Sequence, residues 1–164
     1  CGSGVIGISL ASYFKQVILS DLSELALLVA KQNAINNQVL NCFYQLSDLL
    51  EFLISGPCSD TKIVIVSNLP YLPDSDRVEA VANGVEFEPQ LALYSGEDGL
   101  LAFRRMVRQI GSLSKLNRPV ELVFELDPRN IDSAKVVISR LYSNTQVLQD
   151  SNDCARFLIA SDAL

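Results

Sequence analysis

The sequence predicts an α/β domain whose sheet is mostly parallel, with one antiparallel strand near the C-terminus. Short β-rich apolar runs alternate with stretches of helical period, and the last two runs are separated only by a polar turn, as in a hairpin. The chain of 164 residues is 49% hydrophobic and 20% charged. That suits one domain spanning 1–164 with a sizeable core and excludes a disordered chain.

The elements follow in order. Val5 to Tyr13 is an apolar helical stretch. Gln16 to Ser20 is a strand, ended by Asp21. Ser23 is a helix N-cap for Glu24 to Asn36, with Leu25, Leu28 and Val29 on one face. Leu40 to Gln45 is a weaker strand. Lys62 to Ser67 is a continuous β-branched run that suits a strand buried on both faces. Leu69 to Glu88, rich in Pro, Asp and Glu, is too irregular for one element. A helix starts near Glu97 and Asp98, where acids favour the helix dipole. Leu100, Phe103, Val107 and Ile110 form its apolar stripe, with Arg104, Arg105 and Arg108 off it. Val120 to Leu126 is a buried strand and Ile131 to Tyr142 a helix. Thr145 to Gln149 and Arg156 to Ser161 are the closing strands, joined by Asp150-Ser151-Asn152-Asp153.

Composition narrows the chemistry. Thirteen basic against nineteen acidic residues give a net charge of −6, which argues against stable nucleic-acid binding. The chain has no histidine, so no His triad, His base or His metal ligand. Cys1, Cys42, Cys58 and Cys154 contain no C-x-x-C pair, and no metal site is expected. Scattered cysteines suit a reducing cytoplasm, each as a small buried apolar residue. No apolar run is long enough to span a bilayer, and no signal peptide is legible. The first residue is Cys1, inside a glycine-rich turn, which predicts an upstream piece.

Two groups of residues carry candidate chemistry. Gly2-Ser3-Gly4 leads straight into a helix, where glycines let backbone approach a ligand. Asp21 follows the next strand, about 20 residues on, where nucleotide-binding α/β folds keep a carboxylate for ribose hydroxyls. The same pattern fits an ordinary βα connection. Asp48 follows the Leu40 to Gln45 strand candidate and could face a base ring, or could simply begin a helix. The second group is Asn68-Leu69-Pro70-Tyr71, directly after a buried strand. The Asn68 side-chain oxygen and the Leu69 carbonyl can each accept one N–H of a planar NH2 group, and Tyr71 can stack on it. A proline turn closing the strand is the alternative.

Together these residues resemble the class I S-adenosylmethionine-dependent methyltransferases, specifically the HemK/PrmC family of protein-glutamine methyltransferases. The family's Thr-Gly-Ser-Gly is matched by Cys1-Gly2-Ser3-Gly4. Its second motif resembles Ser20-Asp21-Leu22-Ser23 with Lys31-Gln32-Asn33-Ala34. Its Asn-Pro-Pro-Tyr is matched by Asn68-Leu69-Pro70-Tyr71. Glu88-Pro89, Ala92-Leu93, Gly96-Glu97-Asp98-Gly99-Leu100, Phe124-Glu125-Leu126 and the turn from Asp150 to Arg156 follow in the family's order. The resemblance implies a Rossmann-like sheet, S-adenosylmethionine as cofactor, Gly2, Ser3 and Gly4 against its amino-acid part, Asp21 on the ribose and Asp48 facing the adenine. It implies methylation of a glutamine amide, in the Gly-Gly-Gln loop of a peptide-chain release factor or, as runner-up, in a ribosomal protein. Asn68, Leu69, Pro70 and Tyr71 would be the catalytic set.

The departures matter. Leu69 replaces a proline, and Asp127 replaces the glycine of the family's Glu-x-Gly. The family's first strand, first loop glycine and N-terminal helical domain have no counterpart. The expectation is therefore a fragment of the catalytic domain, poorly active by itself. Two other readings compete: an adenine-N6 methyltransferase acting on RNA or DNA, and a non-catalytic cofactor-binding domain.

Overall fold

The computed structural model describes residues 1–54, 61–77, 89–115 and 117–164. It divides into two compact units, Cys1–Cys58 and Ser59–Leu164. Cys58 and Glu88 lie outside the described residues.

In the first unit α1 (Val5–Leu10) leads into a 3-10 turn, then β1 (Val17–Asp21), α2 (Glu24–Asn36), β2 (Cys42–Leu46) and α3 (Glu51–Ile54). β1 and β2 pair in parallel, Val17 opposite Cys42 and Asp21 opposite Leu46. The Ser23 hydroxyl accepts from the Ala26 N–H at 3.2 Å, the predicted cap. The buried face of α2 is not the predicted one. Leu27, Ala30 and Ala34 are buried, whereas Leu25, Leu28 and Val29 are exposed. The helix is apolar nearly all round, so its period cannot choose a face. Close packing chooses it: a Cβ on Gly4 would lie 2.9 Å from the Ala30 Cβ, so only a small side chain fits there. Likewise a Cβ on Gly7 would meet Leu19 Cδ2 at 2.3 Å, which sets α1 directly on β1.

The second unit holds β3 (Val64–Asn68), α4 (Gln90–Leu93), α5 (Leu101–Ser112), β4 (Glu121–Glu125), α6 (Ile131–Ile138), β5 (Tyr142–Gln149) and β6 (Ala155–Ala163). The sheet order is β3-β4-β6-β5. β3 and β4 are parallel, and β6 runs antiparallel to both β4 and β5. The antiparallel C-terminal strand is thus where the hairpin signal placed it. The apolar stripe of α5 is buried as its spacing predicts, and Phe103 meets Phe124 edge-on at 4.9 Å.

Several boundaries differ from expectation. β3 is not buried on both faces: Ile65 is buried but Val66 is 40% exposed. α5 begins at Leu101 because Gly96 and Gly99 adopt positive φ and hold the preceding residues in a loop. α6 stops at Ile138, and Tyr142 opens β5 with its hydroxyl donating to the Pro119 carbonyl at 2.8 Å. Cys1 and Cys154 are exposed and Cys42 half-buried, so those cysteines do not act as buried apolar residues. No helix among the described residues is long and apolar enough to cross a membrane.

Phe103→Ala should cost about 3–5 kcal/mol of unfolding free energy, because it removes a fully buried ring from between α5 and the sheet. Urea denaturation checks this; a cost below about 1 kcal/mol would mean that the ring is not core.

Candidate active site

In the first unit the glycine turn is drawn together by its own backbone and by Asp21. The Gly4 N–H donates to the Cys1 carbonyl at 3.0 Å. Gly2 and Gly4 have φ of 55° and 78°, and their glycine requirement has different causes. A Cβ on Gly4 would strike α2, whereas one on Gly2 would meet nothing within 4 Å and opens onto free space. The Ser3 carbonyl accepts from Asn33 Nδ2 at 2.9 Å, which ties the turn to α2.

Asp21 ends β1. Its Oδ2 accepts from the Gly2 N–H at 2.8 Å, and its Oδ1 from the Ser23 N–H at 2.9 Å. Burial pushes its pKa up, and the amide hydrogen bonds from Ser23 and Gly2 pull it down. A carboxylate has about four lone-pair sites, so room remains on Oδ1 for one hydroxyl donor. The Ser47 N–H donates to the Asp21 carbonyl at 3.0 Å and joins the ends of β1 and β2. Asp48 follows, half-buried, and its carbonyl accepts from the Glu51 N–H at 3.3 Å at the start of α3. Both carboxylates therefore sit at the carboxyl ends of parallel strands, the ligand side of an open α/β sheet.

In the second unit Asn68 is the last residue of β3 and stands opposite Glu125 in the ladder. Asn68 is exposed, and its carboxamide has no hydrogen-bond partner among the described residues. Leu69 is buried, while Pro70 and Tyr71 are half-buried. The Tyr71 phenol lies near enough to the Glu125 carboxylate to feel its charge. Burial first, then the Glu125 charge, pushes its pKa above the usual range, so it remains a donor at neutral pH.

The chain leaving this motif is pinned. The Leu72 N–H donates to the Leu93 carbonyl, the Ser95 N–H to the Leu72 carbonyl and the Asp74 N–H to the Gly96 carbonyl, each at 2.9 Å. Gly99, at φ 76°, lies so close that a Cβ would fall 2.1 Å from the Tyr71 carbonyl oxygen. Asp127, 8% exposed, is gripped by Arg129, whose hydrogen bonds hold the carboxyl below its usual range against the opposing effect of burial. Sequence reading assigned no role to Glu125, Asp127 or Arg129. The available signals were an acid ending a buried strand and the Asp-x-Arg spacing after it.

Comparison with known proteins follows from this layout. No protein-family model matches the chain. The ribosomal protein L11 methylase of Lactobacillus delbrueckii subsp. bulgaricus superposes with a TM-score of 0.61 at 17% identity, covering 98% of this chain and 65% of that one. The fold is that of a class I methyltransferase. Among curated proteins, the release factor glutamine methyltransferase of Deinococcus radiodurans is 35% identical over 164 residues, 99% of this chain and 56% of the relative. That of Borreliella burgdorferi is 34% identical over 165 residues, 97% of this chain and 54% of the relative. The chain belongs to the HemK/PrmC family of release factor glutamine methyltransferases, and it spans about half the length of the curated relatives it matches.

Gly99→Ala should destabilise the second unit by at least about 1–3 kcal/mol, since both the positive φ and the Tyr71 carbonyl oppose a side chain. Denaturant midpoints check this. Asp127 supplies a pH test. Its folded pKa is depressed, so its contribution is present above the unfolded value and lost as pH falls through the folded one. Stability should decline below about pH 4, and Asp127→Asn should decline less steeply across that window. Equal slopes would remove Asp127 from the acid response.

Proposed function

We propose that this chain supplies the cofactor- and amide-binding surfaces of an S-adenosylmethionine-dependent methyltransferase, as one catalytic domain over residues 1–164. The acceptor is the side-chain amide nitrogen of a glutamine in a cytoplasmic protein, the Gly-Gly-Gln loop of a peptide-chain release factor. The reading is carried by Asn68: a carboxamide exposed at the carboxyl end of a parallel strand, in a chain aligned end to end with glutamine methyltransferases.

The residues of the first unit fit the cofactor. Gly2 stands beside open space that a Cβ would reduce, and Asp21, which holds the Gly2 N–H, keeps an acceptor site for a ribose hydroxyl. Ser3 and Gly4 complete the turn against the amino-acid part, and Asp48 faces the adenine. When bound, S-adenosylmethionine supplies an electrophilic methyl group on a sulfonium.

The chain's own task is to present a poor nucleophile. An amide nitrogen is delocalised into its carbonyl, and no side chain of modest pKa deprotonates it beforehand. Asn68 Oδ1 accepts one N–H and the Leu69 carbonyl accepts the other. These bonds turn the nitrogen's lone pair toward the donor and strengthen as positive charge develops on nitrogen. Tyr71, half-buried beside the motif, supplies the ring that stacks on the planar amide. Fixing both reactants supplies about 7–11 kcal/mol of the barrier reduction. The buried Leu69 side chain anchors the turn where the family has a more rigid proline.

Asn68→Ala should abolish methyl transfer and leave cofactor affinity nearly unchanged, read by single-turnover kinetics and calorimetry; full rate in the variant would end the proposal. Asp21→Ala should instead weaken cofactor binding, and because its carboxylate also holds the Gly2 turn, the loss should accompany a lower melting temperature. A glutamine-containing peptide and an adenine-containing RNA, offered side by side, separate this reading from the nucleic-acid alternative.

A further inference from the structure

We infer that Arg129 is a positioning residue for the Asn68–Tyr71 segment, pinning the chain that leaves it to the turn that follows β4. The inference rests on the functional reading above.

The guanidinium folds back over its own turn and reaches out of it. Arg129 Nε donates to Asp127 Oδ1 at 2.9 Å, and Nη2 donates to Asp127 Oδ2 at 2.8 Å. The Arg129 N–H also donates to Asp127 Oδ1 at 2.8 Å. The same Nη2 donates to Asp76 Oδ2 at 2.8 Å, across 53 residues of sequence. Asp76 closes the short 3-10 turn Asp74–Asp76 that follows the motif. A single side chain thus joins the loop after β3 to the loop after β4.

The neighbouring residue braces the motif from its other side. Asn130 Nδ2 donates to the Asp98 carbonyl at 2.9 Å. It lies 2.9 Å from where a Gly99 Cβ would stand, and the Tyr71 carbonyl lies 2.1 Å from that point. The turn from Asp127 to Asn130 therefore contacts the strand-exit loop at Asp76 and the loop packed on Tyr71 at Asp98.

The chemistry requires arginine. Two carboxylates face one cation, and each would repel the other if the cation were withdrawn. A planar fork serves both at once, whereas a lysine ammonium is a point charge that cannot span them in the same geometry. Arg129 and Asp76 are partly exposed, so the pair adds little to global stability. Its consequence falls on geometry. A displacement of about 1 Å at a site that aims one atom at another costs about a hundredfold in rate.

The test uses the full-length protein with a release factor carrying the Gly-Gly-Gln loop. Asp76→Asn should lower kcat roughly ten- to hundredfold, with unchanged KM, unchanged cofactor dissociation constant and an unchanged urea midpoint; Arg129→Lys should lower kcat at least as far and lower the midpoint as well, because it loosens the hold on buried Asp127. The double variant should be no slower than the slower single variant, since both break one link. If kcat is unchanged in both, or falls in Asp76→Asn only in proportion to the urea midpoint, the inference is overturned while the functional reading stands. If the parent protein methylates no release factor, the functional reading fails instead. Amide exchange then decides the pin: faster exchange at Leu72 and Asp74 in Asp76→Asn supports it, and unchanged exchange refutes it.

Discussion

The parallel register of β3 on β4 is the constraint from which the second unit's candidate site follows. It places Asn68 opposite Glu125 and lets both strands end together. Side chains alternate faces along a strand, so a slip of one residue would exchange the environments of Asn68 and Leu69. The carboxamide would be buried without a partner, at about 1–3 kcal/mol, and Leu69 would lose burial worth about 2 kcal/mol. The residues of the motif thus help to fix the register that presents them. Among the described residues from Leu72 to Arg77 no regular strand continues, and the chain is held by isolated backbone hydrogen bonds to residues 93–96 and by a side chain from the turn after β4.

How much of this was legible depended on the range of the interactions. The alternation of strands and helices, the Ser23 cap, the buried stripe of α5 and the C-terminal hairpin were readable because local pattern determines them. The face of α2 was not, since leucines surround it and the choice rests on the fit between Ala30 and the Gly4 turn, distant in sequence. The start of α5 was misplaced because two glycines at positive φ outweigh the pull of Glu97 and Asp98 toward a helix N-terminus. The residues carrying candidate chemistry were readable as types at strand ends. Their supports were not, because Glu125 comes opposite Asn68, and Arg129 and Asn130 reach Asp76 and Asp98, only once the sheet has formed.

The two units use acidic side chains in the same way. Asp21 gathers the amides of Gly2 and Ser23, and Asp127 gathers the Arg129 amide and guanidinium. Each carboxylate ends or follows a parallel strand and turns the chain sharply.

The choice of an amide at position 68 is itself informative. A carboxylate there would be a stronger acceptor for a nitrogen gaining positive charge, so electrostatics alone would favour aspartate. Glu125 stands opposite in the ladder, however, and two close carboxylates drive one of them to hold a proton. A protonated acid would offer a donor toward a substrate nitrogen that needs acceptors. Asparagine keeps an acceptor oxygen at every pH and adds no charge beside Glu125. On the proposed mechanism, the neutral amide is the side chain that grips another amide without disturbing the carboxylate network beneath it.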